Sequence, residues 1–218
     1  MTQPSTHWNA EVYDCIGTPM RRWAQAVIDD LHLGGDETIL DAGCGSGSVT
    51  FDLLERLPRG RIYAVDSSPD MISKITQAIE DLRTAKPGGR FRAQCGGGAN
   101  IARLMAATHA VEEREPYSRY LGMAEFRKYR TAEEATAAME RAGWTDVRAE
   151  LFDSPVRFDN TDDAALYLRT IILQRHVAAL PPEHQQPFLE AVIAETVRRY
   201  GEPFTADYVR LDLWARKP

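Results

Sequence analysis

Hydrophobic positions along the chain recur with two spacings, and the order in which these spacings alternate predicts an α/β fold. Short apolar runs predict strands in "TILDAG", "RIYAVD" and "GRFRAQ". Helical spacing predicts helices in "SVTFDLLERL" and "ANIARLMAATHAVEE", and two more before the first strand, over about residues 9–16 and through Trp23, Val27 and Leu31. The first strand, its helix and the second strand make one βαβ unit with glycines in its first turn.

The second half of the chain predicts more helices and two more strands. Thr131 and Glu134 form a capping box before the helix "AEEATAAMERA", and Gly143 ends that helix. "WTDVRAELFDSPVRF" alternates like a strand and is bounded by Pro155. One helix is expected from about residue 161 to 180 and a second one ends at "YG". "ADYVRLDLWARK" alternates again and predicts a closing antiparallel strand.

Composition narrows the class of protein. A net charge of -6 over 218 residues argues against a nucleic-acid surface, which needs a basic stripe to neutralise phosphates. The three cysteines show neither a disulfide framework nor the spacing of a metal site, and Cys44 and Cys95 are expected to be small buried residues. The N-terminus lacks a signal pattern, and no apolar run approaches the ~20 residues that span a bilayer. A cytoplasmic protein without metal or membrane partners is therefore expected.

The most specific pattern is "ILDAGCGSGSVT". Its glycines, Gly43, Gly45 and Gly47, follow a strand and precede a helix, so a ligand could approach the backbone where the first helical N–H groups point outward. A phosphate-binding P-loop would need a lysine that is absent, and a dinucleotide fingerprint would need glycine where Ser48 or Thr50 stands. A nicotinamide oxidoreductase is therefore disfavoured.

Two acids accompany this glycine loop. Asp41 precedes it, and Asp66 ends the second strand 19 residues beyond Gly47. An acid at the second position accepts hydrogen bonds from both ribose hydroxyls in related doubly wound folds. The loop and Asp66 together predict a nucleoside-containing cofactor.

These motifs resemble the class I S-adenosylmethionine-dependent methyltransferases through "LDAGCGSG", "AVDSSPDM" and "KPGGRF". The segments "WNAEVYD", "GRFRAQCGGGANIARL" and "RTIILQRHVAALPPEHQQPFLEAV" are similar to the trans-aconitate methyltransferase group, whose members methylate a carboxylate of a small acid. The resemblance implies a Rossmann-like doubly wound sheet, S-adenosyl-L-methionine as cofactor and a small-molecule substrate. It also implies one domain over residues 1–218, with an N-terminal helical lid over 1–32 and a helical insertion, or cap, over 159–203 before the last strand.

The resemblance further implies site residues, which are the residues at the matching positions of the family's motifs. The methionine part of the cofactor would be surrounded by Asp41, Ala42, Gly43, Gly45 and Gly47. Asp66 would hold the ribose, and Ser67 and Met71 would lie beside the adenine, although a methionine that begins an amphipathic helix belongs to a core about as often. A carboxylate substrate needs placement and no general base. The candidates for placing it are Arg169, Arg175, His176, Trp8 and Tyr13, with a structural role as the alternative for each.

One part of the family's sheet has no counterpart in the chain. Only about 20 residues separate Met71 from Phe91, whereas a βαβ unit alone needs ~30. We therefore expect the third and fourth strands to be absent, with a junction within residues 72–78. The open strand edges would favour a homodimer. The alternative to an enzyme is a methyltransferase-like protein that binds the cofactor or a partner without turnover.

Overall fold

The structure is a computed structural model that describes residues 18–42, 48–65, 88–122 and 129–218. The helix expected over residues 9–16 and the junction at 72–78 lie outside the described residues. The chain divides into two compact units. The first comprises Met1–Gln94, Met139–Val147 and Trp214–Pro218, and the second comprises Cys95–Ala138 and Arg148–Leu213. The expectation of one domain, with a lid and a helical insertion, stays a prediction.

The fold is α/β and Rossmann-like, as the sequence predicts. Its helices and strands in chain order are α1 (Thr18–Asp30), β1 (Thr38–Ala42), α2 (Ser48–Arg56), β2 (Arg61–Val65), β3 (Arg90–Gly96), α3 (Ala102–Glu112), a 3-10 turn (Tyr117–Arg119), α4 (Ala132–Arg141), β4 (Thr145–Asp153), β5 (Val156–Arg157), α5 (Thr161–Tyr167), a π-helical turn (Leu168–Ile172), α6 (Gln174–Ala179), α7 (Pro182–Tyr200), β6 (Thr205–Ala206) and β7 (Val209–Arg216).

The predicted βαβ unit is confirmed by the pairing of β1 with β2. The two strands are parallel, with Thr38 opposite Arg61 and Ala42 opposite Val65. Leu53 of the connecting helix α2 and Leu57, directly after that helix, are buried. Because a crossover between parallel strands must return over the sheet, both strands end at the same edge.

The closing antiparallel strand is also confirmed. β7 lies between β3 and β4 in a three-stranded sheet. At one end of β7, Lys217 exchanges backbone hydrogen bonds with Gly88 and Gly89, and at the other end the Gly97 N–H donates to Val209. Since the end of β7 lies beside the start of β3, the two strands run in opposite directions.

The capping box predicted before α4 is present. The Glu134 N–H donates to Thr131 Oγ1 at 3.2 Å, and the Thr131 N–H donates to Glu134 Oε2 at 3.1 Å. Two donors at the start of the helix are thereby satisfied. Gly143 has a φ of 84°, a left-handed conformation that glycine adopts without a steric penalty, so the helix ends where the sequence predicts.

The single helix expected over residues 161–180 is wrong, because the segment is interrupted. α5 passes into a π-helical turn in which the Leu173 N–H donates to the Leu168 carbonyl at 2.7 Å, and α6 begins only at Gln174. The wider turn adds a residue to the helical repeat, and Leu168, Ile172 and Leu173 are all buried. Burial of these side chains accounts for the change of register.

A helix pair forms the core of the second unit. The sequence of α7 predicts an apolar face of Phe188, Leu189, Val192, Ile193 and Val197. The first four are buried, and Val197 is half-buried. Opposite residues of α3 are buried too, and they are Leu104, Ala107 and Val111. At about 25 cal/mol per Å² of apolar area, such side chains contribute roughly 1.5–3 kcal/mol each when they leave water.

Candidate active site

The candidate cofactor site begins at the carboxyl ends of β1 and β2. Asp41 lies opposite Ala64 and Ala42 opposite Val65, so the last residues of both strands are neighbours. In doubly wound folds, ligands bind outside the carboxyl ends of parallel strands. In the sequence Gly43 follows the first strand and Asp66 the second. The predicted cofactor residues outside the described residues are Gly43, Gly45, Gly47, Asp66, Ser67 and Met71.

A hydrogen bond connects the two elements on either side of the glycine loop. The Thr50 hydroxyl, in the first turn of α2, donates to Asp41 Oδ2 at 2.6 Å. Residues 43–47 connect β1 to α2. The bond therefore holds the end of β1 close to the start of α2, the two points that the loop joins. From the sequence, Thr50 served only as an argument against a dinucleotide fingerprint. Its role as a hydrogen-bond partner of Asp41 was not predicted.

The described residues of this edge fit S-adenosylmethionine in charge and hydrogen bonding. Asp41 is half-buried and carries a carboxylate, which suits the α-ammonium group of the methionine part. α2 is nine residues long, and the first N–H groups of a helix suit an α-carboxylate. A site for a zwitterionic amino acid needs both kinds of group.

The predicted substrate residues of the late helical segment are not brought together by a shared partner in the described part of the chain. Arg169, in the π-helical turn, donates to Gln185 Oε1 at 3.0 Å and to Gln186 Oε1 at 3.3 Å. It therefore holds that turn against the start of α7. Arg175 is exposed on α6. Trp8 and Tyr13 lie outside the described residues.

His176 lies against a buried carboxylate. Its Nε2 is 2.9 Å from Glu112 Oε1, which is the distance of an ion pair. Among the described residues, neither atom has a partner with hydrogen-bond geometry. His109 Nδ1 is hydrogen-bonded to the other oxygen of Glu112 at 3.2 Å. Burial alone would raise the pKa of Glu112, but His176 and then His109 lower it by more, so the pKa lies below its usual range. His176 also stacks on Phe188. These contacts favour a structural role for His176.

A second polar cluster was not predicted as a site. The hydroxyls of Tyr167 and Tyr208 are 2.8 Å apart, and both side chains are buried. Arg210 follows on β7 and is half-buried. Burial lowers the pKa of the Arg210 guanidinium, while the nearby Cys95, Tyr208 and Asp212 act in the opposite direction. The alternation of Tyr208, Arg210 and Asp212 was visible in the sequence, but nothing there marked Tyr167 as their neighbour.

Further features bear on the class of protein. Cys95 was expected to be buried, and this is wrong, because Cys95 is a free and exposed cysteine. Cys44 lies outside the described residues. Within residues 18–42, 48–65, 88–122 and 129–218, no group of three or more His, Cys, Asp or Glu side chains could hold a metal ion. None of the helices in those ranges has the length and apolar character needed to cross a membrane.

Comparison with known proteins shows which proteins the segment around the glycine loop resembles. Residues 39–100 match a family described as methyltransferase domain. A trans-aconitate 2-methyltransferase of Enterobacter sp. is 36% identical over 76 residues, which are 35% of this chain and 30% of that protein. A malonyl-[acyl-carrier protein] O-methyltransferase of Acetivibrio thermocellus is 41% identical over 66 residues, 29% of this chain and 23% of that protein. The chain thus matches less than a third of the length of these relatives.

Among solved structures, the Haemonchus contortus phosphoethanolamine N-methyltransferase 2, in complex with phosphomonomethylethanolamine and S-adenosylhomocysteine, is similar over 90% of this chain and 52% of its own. The sequence identity is 11% and the TM-score is 0.48. The family match over residues 39–100 contains β1 from its second residue, the glycine loop, β2 and Asp66, the elements of the candidate cofactor site. Over residues 39–100 and about a third of its length, the chain is thus similar to methyltransferases.

Proposed function

We propose that the chain binds S-adenosylmethionine at the carboxyl edge of β1 and β2 and transfers a methyl group to a carboxylate oxygen of a small acid. The observation that carries this proposal is the pairing of Ala42 with Val65. Because of this pairing, the last residues of β1 and β2 are neighbours. The glycine loop follows β1 in the sequence, and Asp66 follows β2. These elements lie within the segment that matches the methyltransferase domain.

Different residues of this edge would contact different parts of the cofactor. Asp41, Ala42 and the loop glycines would hold the methionine part, and Asp66 would accept hydrogen bonds from the ribose hydroxyls. Ser67 and Met71 would lie beside the adenine. The hydrogen bond from Thr50 supports this arrangement, because it orients the Asp41 carboxylate before any ligand arrives.

A carboxylate acceptor agrees with the names of the relatives, trans-aconitate 2-methyltransferase and malonyl-[acyl-carrier protein] O-methyltransferase. The bound sulfonium supplies an activated methyl carbon and a neutral thioether as leaving group. A carboxylate is already deprotonated at neutral pH, so the protein has to place it and needs no general base. We also propose a cytoplasmic location and Arg175 as the group on α6 that contacts the acid, since it is the exposed one of the three late-helix candidates.

A second candidate function is cofactor binding without turnover. Residues 66–89 separate β2 from β3, whereas a full βαβ unit needs ~30 residues, so the family's third and fourth strands have no room there. In the described part of the chain, β1 pairs only with β2. The missing strands would supply part of the adenine side and of the substrate side in this family, so their loss favours weak turnover.

Methyl transfer from methyl-labelled S-adenosylmethionine to trans-aconitate, malonate and their amides tests the proposal. We expect label in the acids and not in the amides, released as methanol by mild base because the product is an ester. Label in an amide, or base-stable label, would contradict carboxylate methylation. Binding of S-adenosylhomocysteine without label in any acid would favour the second candidate.

A further inference from the structure

Three arginines surround one buried carboxylate in the second unit. The Glu195 side chain, on α7, is 4% exposed. It accepts hydrogen bonds from Arg114 Nη2 at 2.8 Å, from Arg198 Nε at 3.1 Å and Nη2 at 2.6 Å, and from Arg199 Nε at 2.6 Å. Arg198 and Arg199 belong to the last turn of α7, and Arg114 follows α3. Four hydrogen bonds use the acceptor capacity of a carboxylate, so Glu195 is fully engaged.

The three arginines carry more positive charge than Glu195 can balance. Arg198 alone contacts both oxygens of the carboxylate, as in a paired arginine–carboxylate interaction. Arg114 and Arg199 add two like charges beside it, and like charges at short distance repel each other. The carboxyl end of α7 contributes only about half a negative charge. A net positive charge therefore remains around Glu195.

The acidic residues next to Arg114 in the sequence are paired elsewhere. Glu113 lies 3.5 Å from His109 Nε2, and Glu115 pairs with Arg119 at 2.6 Å. In the part of the chain that the structure describes, the three arginines of the cluster form ion pairs with no carboxylate other than the buried one. The excess positive charge is thus available to an anion from solution.

Each arginine of the cluster keeps N–H groups for a ligand. A guanidinium group has five N–H donors on three nitrogens. Arg114 uses one nitrogen on Glu195, and Arg198 uses two. Arg199 uses Nε on Glu195 and Nη1 on the Ala106 carbonyl, at 3.3 Å. The other nitrogens have no acceptor among the described residues. The side chains of Arg114 and Arg198 are 50% and 68% exposed, so an ion can reach them.

The buried carboxylate also restricts the motion of the guanidinium groups. A long arginine side chain on an open surface loses rotamer freedom when it binds a ligand, and this loss weakens binding. Here Glu195 orders all three side chains in the folded protein. Arg199 is held a second time by Ala106, on α3, the helix that packs against α7. A ligand therefore has less ordering to impose.

These properties suit a phosphate group better than a carboxylate. Phosphate in a monoester carries a charge of about -1.5 to -2 at neutral pH and presents three strong acceptor oxygens. Guanidinium groups bind such oxygens through pairs of N–H donors. A carboxylate has a single negative charge and two oxygens, so it would engage fewer of the three arginines.

We propose that Arg114, Arg198 and Arg199, held in place by Glu195, form a binding site for a phosphate group. A soluble phosphorylated metabolite and a lipid headgroup present the same oxygens to such a site. All four residues belong to the second unit. The site does not depend on the proposed methyl transfer, since none of its residues lies at the edge formed by β1 and β2.

Calorimetric titration of inorganic phosphate into the full chain tests the site. We expect saturable binding at an ionic strength of about 0.1 M, where charges more than ~10 Å apart are largely screened. Arg198→Gln and Arg114→Gln should each weaken it about tenfold, because each removes hydrogen bonds to a charged ligand. Arg198→Lys keeps the charge and loses the paired donors, so it should weaken binding by less. Arg157→Gln, a matched change of an exposed arginine on β5, should bind like the parent.

Thermal denaturation shows which variants fold. If Arg198→Gln does not, Arg114→Gln decides, because it removes only one of the four hydrogen bonds to Glu195. A folded parent that does not bind phosphate, or parent-like binding by the folded glutamine variants, would overturn the site. So would an equal loss in Arg157→Gln, which would indicate general charge attraction. Acetate that binds as tightly as phosphate would contradict the assignment to phosphate.

Vesicles distinguish the two sources of the phosphate group. The parent and Arg114→Gln are sedimented with phosphatidylcholine vesicles that contain phosphatidic acid. Sedimentation of the parent but not of Arg114→Gln would support the site and assign it to a lipid headgroup. Binding of inorganic phosphate without sedimentation would support the site and assign it to a soluble metabolite.

Discussion

Thr50 donates a hydrogen bond to Asp41 across the glycine loop, with 2.6 Å between Thr50 Oγ1 and Asp41 Oδ2. The two residues are nine positions apart, one near the end of β1 and the other in the first turn of α2. The bond therefore connects the strand to the helix directly, in addition to the loop that connects them covalently. It also engages one oxygen of the Asp41 carboxylate, Oδ2.

Thr50→Val tests this connection, because it removes the hydroxyl and keeps the shape of the side chain. We expect the affinity for S-adenosylhomocysteine to fall about threefold to tenfold, since a part-exposed hydrogen bond to a carboxylate contributes ~1 kcal/mol. Calorimetric titration measures this change. Thr50→Ser keeps the hydroxyl and should bind like the parent. Equal affinity of Thr50→Val and Thr50→Ser would show that the bond does not organise the site.

Glu195 predicts a specific dependence of stability on pH. The side chain is 4% exposed and accepts hydrogen bonds from Arg198, Arg114 and Arg199, which together hold the pKa of its carboxyl well below the usual range. A carboxyl group with a lowered pKa stabilises the folded state above its unfolded pKa of about 4.3, and this stabilisation is lost as the pH falls through the folded pKa.

The measurement is urea unfolding of the parent and Glu195→Gln between pH 7 and pH 3. Glu195→Gln should be less stable at pH 7, and the difference from the parent should stay constant down to about pH 5 and shrink below it. Glu190→Gln changes an exposed carboxylate of the same helix and is the control. A difference that grows as the pH falls would refute the assignment.

Local patterns predicted much of the fold, whereas contacts between distant segments were not predictable. The capping box of Thr131 and Glu134 and the end of α4 at Gly143 depend on residues three or four positions apart, which a sequence displays directly. The π-helical turn at Leu168–Ile172 depends on which side chains reach the core, and the sequence continues a helical pattern through it. The same distinction holds for the candidate site.

At the site, the glycine loop and Asp66 were recognisable from their spacing along a βαβ unit. The hydroxyl pair of Tyr167 and Tyr208 joins residues 41 positions apart, and the support of Val209 by Asn100 joins residues 109 apart. No spacing rule connects such residues, because tertiary packing decides which of them meet. Exposed Arg175 and buried Glu112 likewise look alike as charged residues of helical segments until the packing is known.

Exposed apolar residues of the βαβ unit lead to a prediction of self-association. Phe51 and Leu54 of α2 are 66% and 49% exposed, and Tyr63 of β2 is 56% exposed. The homodimer expected from the open strand edges would bury such residues, and the apolar area removed from water would stabilise it. Light scattering over a range of concentrations should show a dimer. Phe51→Ser should raise its dissociation constant about tenfold or more, whereas Glu55→Ser on the same helix should not. A parent chain that stays monomeric throughout would contradict the prediction.

The central claim is that the cofactor site lies where β1 and β2 end, and titration of S-adenosylhomocysteine into the parent chain and Asp66→Ala tests it most directly. We expect the parent to bind and Asp66→Ala to bind about tenfold to a hundredfold more weakly, because the ribose hydroxyls lose a charged acceptor worth ~1.5–3 kcal/mol. Glu55→Ala, a control on α2, should bind like the parent. Equal affinity of Asp66→Ala and the parent, or a folded parent that does not bind S-adenosylhomocysteine, would contradict it.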